Sequence, residues 1–387
     1  MSRRAEEKKI PGFGVNLSCF ASQVFGLAES ARQLAYAFQA AKIPFVVNDV
    51  ALTIPHSRRD RRLESYVSDD NPYSVNIIHL NPPEAEWFFK SRPSNYFQNR
   101  ANIGLWYWEL SKVPLKWSYL FKFYDEIWAT STFIHQTLSR ASVVPVQRIP
   151  FSLTVDTKIT TPARERFGLK EGSCVFLFAF DYVSEFERKN PLAVVQAFRR
   201  AFDNEDDALL IINTINSNTD AENSRRLWDA ARGARIFILD GHLTRPDYYA
   251  LLVACNCYVS LHRSEGLGMI MAQAMYFGKP VIATGYSGNL DFMNKDNSLL
   301  VDFNLVELNR DYGPYYEKGN VWAEPDVDQA SEFMRWIYEH PAEAKAMGET
   351  ASRDVRKSMN PKVVGYEIRS MLQKIIEHKN AQCSPEQ

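Results

Sequence analysis

The 387-residue sequence has no run of roughly 18 apolar residues, so no segment of it reads as a membrane-spanning helix. Its first residues, MSRRAEEKKIPGFG, carry charge but no apolar core, which speaks against a secretory signal. Neither sign of charge prevails. The 45 Lys and Arg against 46 Asp and Glu leave a net charge of −1, and this removes the electrostatic case for nucleic acid as a partner. Cysteine is scarce and odd in number: Cys19, Cys174, Cys255, Cys257 and Cys383. Most of these lie in apolar runs, which fits a reducing, cytoplasmic setting and no disulfide framework. Cys255-Asn256-Cys257 is too tight for the usual zinc pair and has no second pair, so it reads as a buried strand edge. Internal repeats and low-complexity tracts are also missing. What remains is ordinary globular composition, 45% apolar and 24% charged, with 24 Phe, 18 Tyr and 8 Trp to fill cores. At roughly 100–200 residues per domain, this length predicts two domains and allows a third.

Short apolar runs alternate with helical patterns along the first half. Strands are predicted from Gly14, Ile43, Tyr73, Asn102, Asp125 and Val143. Between them lie a helix over Gly26 to Lys42, a short one through Trp87 and Phe88, one begun by Pro114 and one capped by Thr132. Such alternation argues for a parallel sheet covered on both faces, here over residues 1–151. Residues 152–173, polar with Pro162, Gly168 and Gly172, read as a linker. The alternation restarts over 174–359, with strands from Cys174, Ala208, Ala234, Cys257 and Lys279 and helices over Pro191 to Phe202, from Thr244 and from about Met269. Thr244-Arg245-Pro246-Asp247 has the form of a capping box. Two amphipathic helices close the chain, near Gln329–Tyr338 and Lys362–Glu377. The expected fold is α/β, two doubly wound Rossmann-like domains with a cleft at the carboxyl ends of their strands.

Candidate chemistry lies just after strands. In HRSEGLGMIMAQAM, from His262, Gly266 and Gly268 let backbone N–H groups approach a ligand, and the helix beyond favours an anion. Glu265 in the same loop suits hydroxyl groups, and Gln273 falls two helical turns further on, roughly on its side. Together these describe a site for phosphate and polyol, although a plain Gly-rich connection with a solvated Glu fits the residues as well. Arg188 and Lys189 follow the strand from Cys174 and suit a diphosphate by charge, or form a solvated pair at a helix start. Trp106 and Trp108 share one face of a strand, as a sugar-stacking platform or as core. His79 follows another strand, with a sugar-side or a structural role.

The stretch HRSEGLGMIMAQAMYFGKPVIATGYSGNLDFM resembles the signature of the retaining glycosyltransferases of the GT-B fold, the large group called family 4, in which E-G-[FL]-G is followed by E-A-M, a strand and a G-x-S/G-G loop. The rest of the chain fits that resemblance. It implies an acceptor-binding first domain, a nucleotide-sugar-binding second domain and a C-terminal helix, about 360–380, that crosses back to the first. SEFERKNP, from Ser184, is similar to the family's R-x4-K-G loop, with Lys189 at the Lys, Asn190 for the Gly, Ser184 at the Arg position and Arg188 beside the Lys. The resemblance implies donor contacts at Ser184, Gly266, Leu267, Gly268, Met269 and Gln273, and catalytic roles for Glu265, Lys189 and Arg188. Gly26, in FGLAESAR, matches one Gly of the family's N-terminal loop, whose second Gly is missing, and Glu29 and Arg32 read there as a simple helix pair. Trp108-Glu109 stands where many relatives have His-Asp, and Gln273 stands where the family usually has a ribose-holding Glu.

The implied reaction moves a hexose of mannose, rhamnose or glucose type from a nucleoside-diphosphate sugar to a glycan or lipid-linked acceptor, with retention. It needs no metal or cofactor. A non-catalytic sugar-nucleotide-binding subunit is the alternative that Gln273 motivates. Asp326-Val327-Asp328 has the form of the metal motif of the other glycosyltransferase fold, yet it sits where a helix cap is routine. SRRDRR, from Ser57, reads as a solvated loop or as a contact to anionic lipid at the inner face of the membrane.

Overall fold

The computed structural model describes residues 12–50, 52, 56–155, 163–203, 206–313 and 315–383. The first domain is a six-stranded parallel sheet of β1 (Gly12–Cys19), β2 (Phe45–Asp49), β3 (Tyr73–Ile78), β4 (Ala101–Leu105), β5 (Glu126–Ala129) and β6 (Val146–Arg148), in the order β2-β1-β3-β4-β5-β6. Its helices are α1 (Gly26–Ala40), α2 (Pro82–Ser91) and α3 (Thr132–Ala141). Both faces of such a sheet are covered, so its strands are apolar almost throughout. The exceptions form a ladder: the Asn16 amide donates to Asn76 at 2.9 Å, and the Asn76 amide to Asn102 at 2.8 Å, which satisfies three buried side chains on β1, β3 and β4.

Two local expectations differ from the structure. The segment begun by Pro114 is a 3-10 helix over Leu115–Phe123 with Trp117, Leu120 and Phe121 inward. The cap of α3 is Ser131, whose hydroxyl accepts from the Ile134 N–H at 3.2 Å; Thr132 is the first helical residue.

A short helix, α4 (Ala163–Arg166), precedes the second sheet. That sheet holds β7 (Cys174–Asp181), β8 (Ala208–Ile215), β9 (Ile236–Asp240), β10 (Cys257–Ser260), β11 (Val281–Thr284) and β12 (Leu299–Val301), all parallel. Its order, β9-β8-β7-β10-β11-β12, is the doubly wound one in which the chain reverses direction between β7 and β10. Around it lie α5 (Phe186–Lys189), α6 (Pro191–Ala201), α7 (Ala221–Ala231), α8 (Arg245–Ala254) and α9 (Met269–Tyr276). The Thr244 hydroxyl caps α8 by accepting from the Asp247 N–H. After β12 an antiparallel hairpin, β13 (Phe303–Glu307) and β14 (Val321–Pro325), projects from the domain before α10 (Val327–Glu339), α11 (Pro341–Ser358) and α12 (Pro361–Cys383) complete the chain.

The last helix, α12, buries Val364, Ile368 and Leu372 in the core of the first sheet. Arg369 donates to the carbonyls of Ala41 and Lys42, at 3.0 Å each. The two crossings between domains meet where the Leu153 N–H bonds the Met359 carbonyl at 2.9 Å.

Candidate active site

The loops after β7 and β10 meet at the point where the second sheet reverses, and they carry the charged residues. Beyond β7 the chain makes a 3-10 turn (Tyr182–Ser184), then α5, then α6. Asn190 joins α5 to α6 in the left-handed conformation, φ +54°, which asparagine tolerates better than most side chains. Its amide donates to the Leu261 carbonyl at 3.0 Å, and this fixes α5 against the end of β10. Arg188 and Lys189 therefore face Glu265. Lys189 Nζ bonds Glu265 Oε1, and an Arg188 nitrogen lies 3.3 Å from the same oxygen. Burial raises the Glu265 carboxyl, but Lys189 and Arg188, with a smaller contribution from His262, outweigh it and bring it down to about 2. Arg188 is buried and also donates to the carbonyls of Ser264 and Ser184, at 2.9 Å each. Lys189 is the more exposed of the two, at 18% of its side chain.

The Glu265 backbone is pinned on both sides. Its N–H donates to the Ser287 hydroxyl at 2.8 Å, and its carbonyl accepts from the Gly288 N–H at 2.9 Å. Gly288 lies so close that a Cβ there would stand 2.0 Å from the Gly266 carbonyl, so only glycine fits. Ser287 holds φ +78°, and Glu185 and Gly268 also have positive φ, so unusual backbone gathers at this point. Gly268 caps α9, Leu267 is buried and Met269 opens the helix. His262 binds Ser260 through Nδ1 and the Tyr286 and Asn289 oxygens through Nε2, and burial lowers its imidazole.

Gln273 is buried on α9. Its oxygen accepts from the Tyr248 hydroxyl at 2.8 Å, and it makes no bond to Glu265. Asp326 caps α10 by accepting from the N–H groups of Asp328 and Gln329, at 2.9 and 3.0 Å, which accounts for the Asp-Val-Asp sequence as a helix start. Among the described residues no three His, Cys, Asp or Glu side chains are grouped as metal ligands.

The first domain meets these loops edge to edge. The Ser131 hydroxyl donates to the Gly266 carbonyl at 2.6 Å, and the Ser264 hydroxyl to the Glu109 carbonyl. Glu109 thus borders the site, with its carboxylate accepting from the Tyr316 hydroxyl at 3.3 Å. Trp108 corrects the stacking reading: its ring is 1% exposed, crosses Trp117 edge-on and donates to the Lys112 carbonyl. Trp106 is likewise core. His79 is fully buried below the cleft, its Nε2 3.0 Å from the Ser30 hydroxyl, which donates on to Tyr107 at 2.5 Å. Burial lowers its imidazole to about 4, so it is neutral. Gly26 is exposed at the start of α1, with open space about it.

Glu29 and Arg32 form more than a helix pair. Arg32, Arg62 and Arg245 all converge on Glu29, at 2.9, 2.7 and 2.5 Å, and Arg245 belongs to α8 of the other domain. Arg58, Arg61 and Arg62 of the basic loop pair with Asp49, Glu64, Glu29 and Asp60. A second cross-domain pair joins His56 to Asp181 at 2.9 Å. Of the residues that complete the site, Ser287 and His262 lay within the quoted motif, whereas Ser131, His56 and Tyr316 carry no signal in their local sequence.

Residues 163–354 match the family model of glycosyl transferases group 1, so the second domain is a domain of that kind. The fold is that of GT-B glycosyltransferases. It is similar to the sucrose-phosphate synthase of Thermosynechococcus elongatus, at 16% identity over 95% of this chain and 100% of that one, TM-score 0.68. It is also similar to HepE of Anabaena in complex with UDP-glucose, at 11% identity over 94% and 100%, TM-score 0.69. A glycosyltransferase from Rickettsia africae matches at 12% identity over 94% and 99%, TM-score 0.68. No curated protein matches the sequence.

Proposed function

We propose that this protein, a glycosyltransferase by domain and fold, moves a hexose from a nucleoside-diphosphate sugar to a glycan or lipid-linked acceptor, with retention at the anomeric carbon. The observation that carries the reading is the Glu265 carboxylate held between Lys189 and Arg188 at the reversal point of the second sheet. Glu265 is the counter-anion of both cations. A donor diphosphate takes that place, Lys189 and Arg188 stabilise the charge that develops on the leaving group, and the first turn of α9 adds its N–H groups. Glu265, released from part of its ion pairing, then accepts from hydroxyls of the donor sugar. The acceptor enters from the side of Glu109 and Gly26. Displacement occurs on the face of the leaving group, with no protein nucleophile. Opening about the two crossings near Leu153 and Met359 admits donor and releases product, and closure shuts water out of the reaction.

That HepE is solved with UDP-glucose supports the choice of donor class. Gln273 differs from the family's usual Glu, but its free amide group still suits ribose hydroxyls, which accept as well as donate. A panel of nucleoside diphosphates and their sugars, read by thermal unfolding, tests the proposal. At about 100 times its dissociation constant a true donor stabilises by about 2.7 kcal/mol. A chain that no nucleoside diphosphate stabilises refutes it. Retention is checked by NMR of the product linkage, where an inverted anomeric centre refutes that part alone.

A further inference from the structure

We propose that Tyr316, carried on the arm between β13 and β14, is a positioning residue that orients the Glu109 carboxylate across the cleft from Arg188. This rests on the glycosyl-transfer reading above. By chain order the arm belongs to the second domain, but by packing it belongs to the first. Leu308, Tyr316 and Trp322 are buried in one cluster with Trp106, Trp108 and Trp117. Tyr315 stands against Trp117, with ring centroids 5.7 Å apart. The Lys112 N–H bonds Asn320 at 3.0 Å, and Lys112 Nζ bonds the Gly319 carbonyl at 2.9 Å. The base of the arm is tied to the active-site loop, because the Ala323 N–H bonds the Arg263 carbonyl at 2.8 Å and Arg263 pairs with Glu324 at 2.6 Å.

This anchoring places a single hydroxyl between two charges. The Tyr316 hydroxyl donates to Glu109 Oε2 at 3.3 Å, and the Arg188 guanidinium carbon lies 5.9 Å from the centroid of its ring. A carboxylate only accepts, so the phenol turns its proton toward Glu109, while the Arg188 guanidinium lies over its ring. Burial and the Glu109 charge push the phenol up despite Arg188, so that proton stays in place. One Glu109 oxygen is thereby committed. The other has no hydrogen bond among the described residues and is left for a substrate hydroxyl. The Glu109 main chain is held by the Ser264 hydroxyl, so both the backbone and the carboxylate of this first-domain residue are set by the second domain and its arm.

The test uses Tyr316→Phe, which keeps the ring and its packing and deletes only the hydroxyl. Assayed with the donor that stabilises the wild-type chain, kcat falls roughly ten- to hundredfold, the scale of a hydrogen bond to a charged group, while donor KM changes by less than about twofold. Glu109→Gln shows a loss of the same order, and the double variant is no slower than the worse single one, because the two residues act as a unit. A wild-type kcat in Tyr316→Phe overturns the proposal and leaves the glycosyl-transfer reading standing. So do multiplicative losses in the double variant, or an effect confined to donor KM. A wild-type chain that binds no nucleoside diphosphate overturns both.

Discussion

Two carboxylates in this molecule sit among cations, and they make an instructive pair. Glu265 lies between Lys189 and Arg188 where two strands of one sheet part. Glu29 lies among Arg32, Arg62 and Arg245 where the two domains touch. Burial opposes the charge of each, and in each the neighbouring cations win and hold the carboxyl below the usual range. The difference is in what else could occupy the place. Around Glu265 the backbone turns open, with positive φ at Glu185, Gly268 and Ser287, and a helix start faces the pair. Around Glu29 every neighbour is a side chain already committed, Gln33 to Glu29 and to the Thr154 carbonyl, Arg245 to Tyr249. Under the proposed function the same ionic chemistry serves an exchangeable counter-ion in one place and a fixed seam in the other.

The largest effect expected from this contrast is in stability. Glu29→Gln leaves three arginines facing one remaining carboxylate, Asp60, and stability falls by about 3–5 kcal/mol, the scale for breaking a buried pair. Chemical denaturation measures it, and nucleoside-diphosphate affinity at low temperature is unchanged. An affinity loss matching that of a clamp variant erases the contrast and makes the seam a second ligand site.

Next comes Glu265→Gln. It lowers kcat by roughly a hundredfold or more, since the carboxylate acts on the sugar in the transition state, yet nucleoside-diphosphate binding is as tight as before or tighter because a competing anion is gone. Calorimetry beside steady-state kinetics decides the point; intact turnover removes Glu265 from the chemistry.

Lys189→Ala follows, with nucleoside-diphosphate affinity reduced roughly ten- to hundredfold and bare nucleoside affinity unchanged, as a charge acting on phosphate requires. Equal losses for both ligands place Lys189 outside the clamp.

The smallest effect is read by pH. Glu265 has a lowered folded pKa, so its contribution to stability is present above the ordinary carboxyl value and is lost as pH falls toward about 2. His79 is also lowered, to about 4, but it is neutral when folded. The unfolded chain takes up its proton from about 6.5 downward, so stability drops between about 6.5 and about 4. His79→Gln makes the upper window shallower, with buried His262 contributing what remains of it, and leaves the lower one. A stability profile in His79→Gln that still falls by the wild-type amount above pH 4 assigns that window to another group.

The local elements read correctly from sequence are those where neighbours in the chain act on one another. The strand, the Gly-containing turn and the helix that present Glu265 lie within one short stretch. Direction is what the local pattern left open. Trp106 and Trp108 have the spacing of a shared face, which fits a stacking surface or a core, and the packing of Trp117 and Phe121 against them decided for the core. Gln273 was placed by helical period roughly on the side of Glu265, and its oxygen accepts from the Tyr248 hydroxyl of α8. The acidic partners of Arg58 and Arg62 in the basic loop, Asp49 and Glu29, lie on other elements.

The sequence by itself determined the alternation of strands and helices and the two parallel sheets. Period-2 and period-3.6 patterns and backbone demands at glycine, asparagine and proline are properties of adjacent residues. The tertiary structure alone decided which charges meet. Strand order set α5 beside the loop after β10, domain closure set Arg245 against Glu29, and the arm after β12 carried Tyr316 to Glu109. Each of these pairs joins residues at least 76 positions apart, so no local pattern encodes it. Contact between such distant positions depends on how whole elements stack, and that is settled by the burial of their apolar faces rather than by the charged residues that meet as a result.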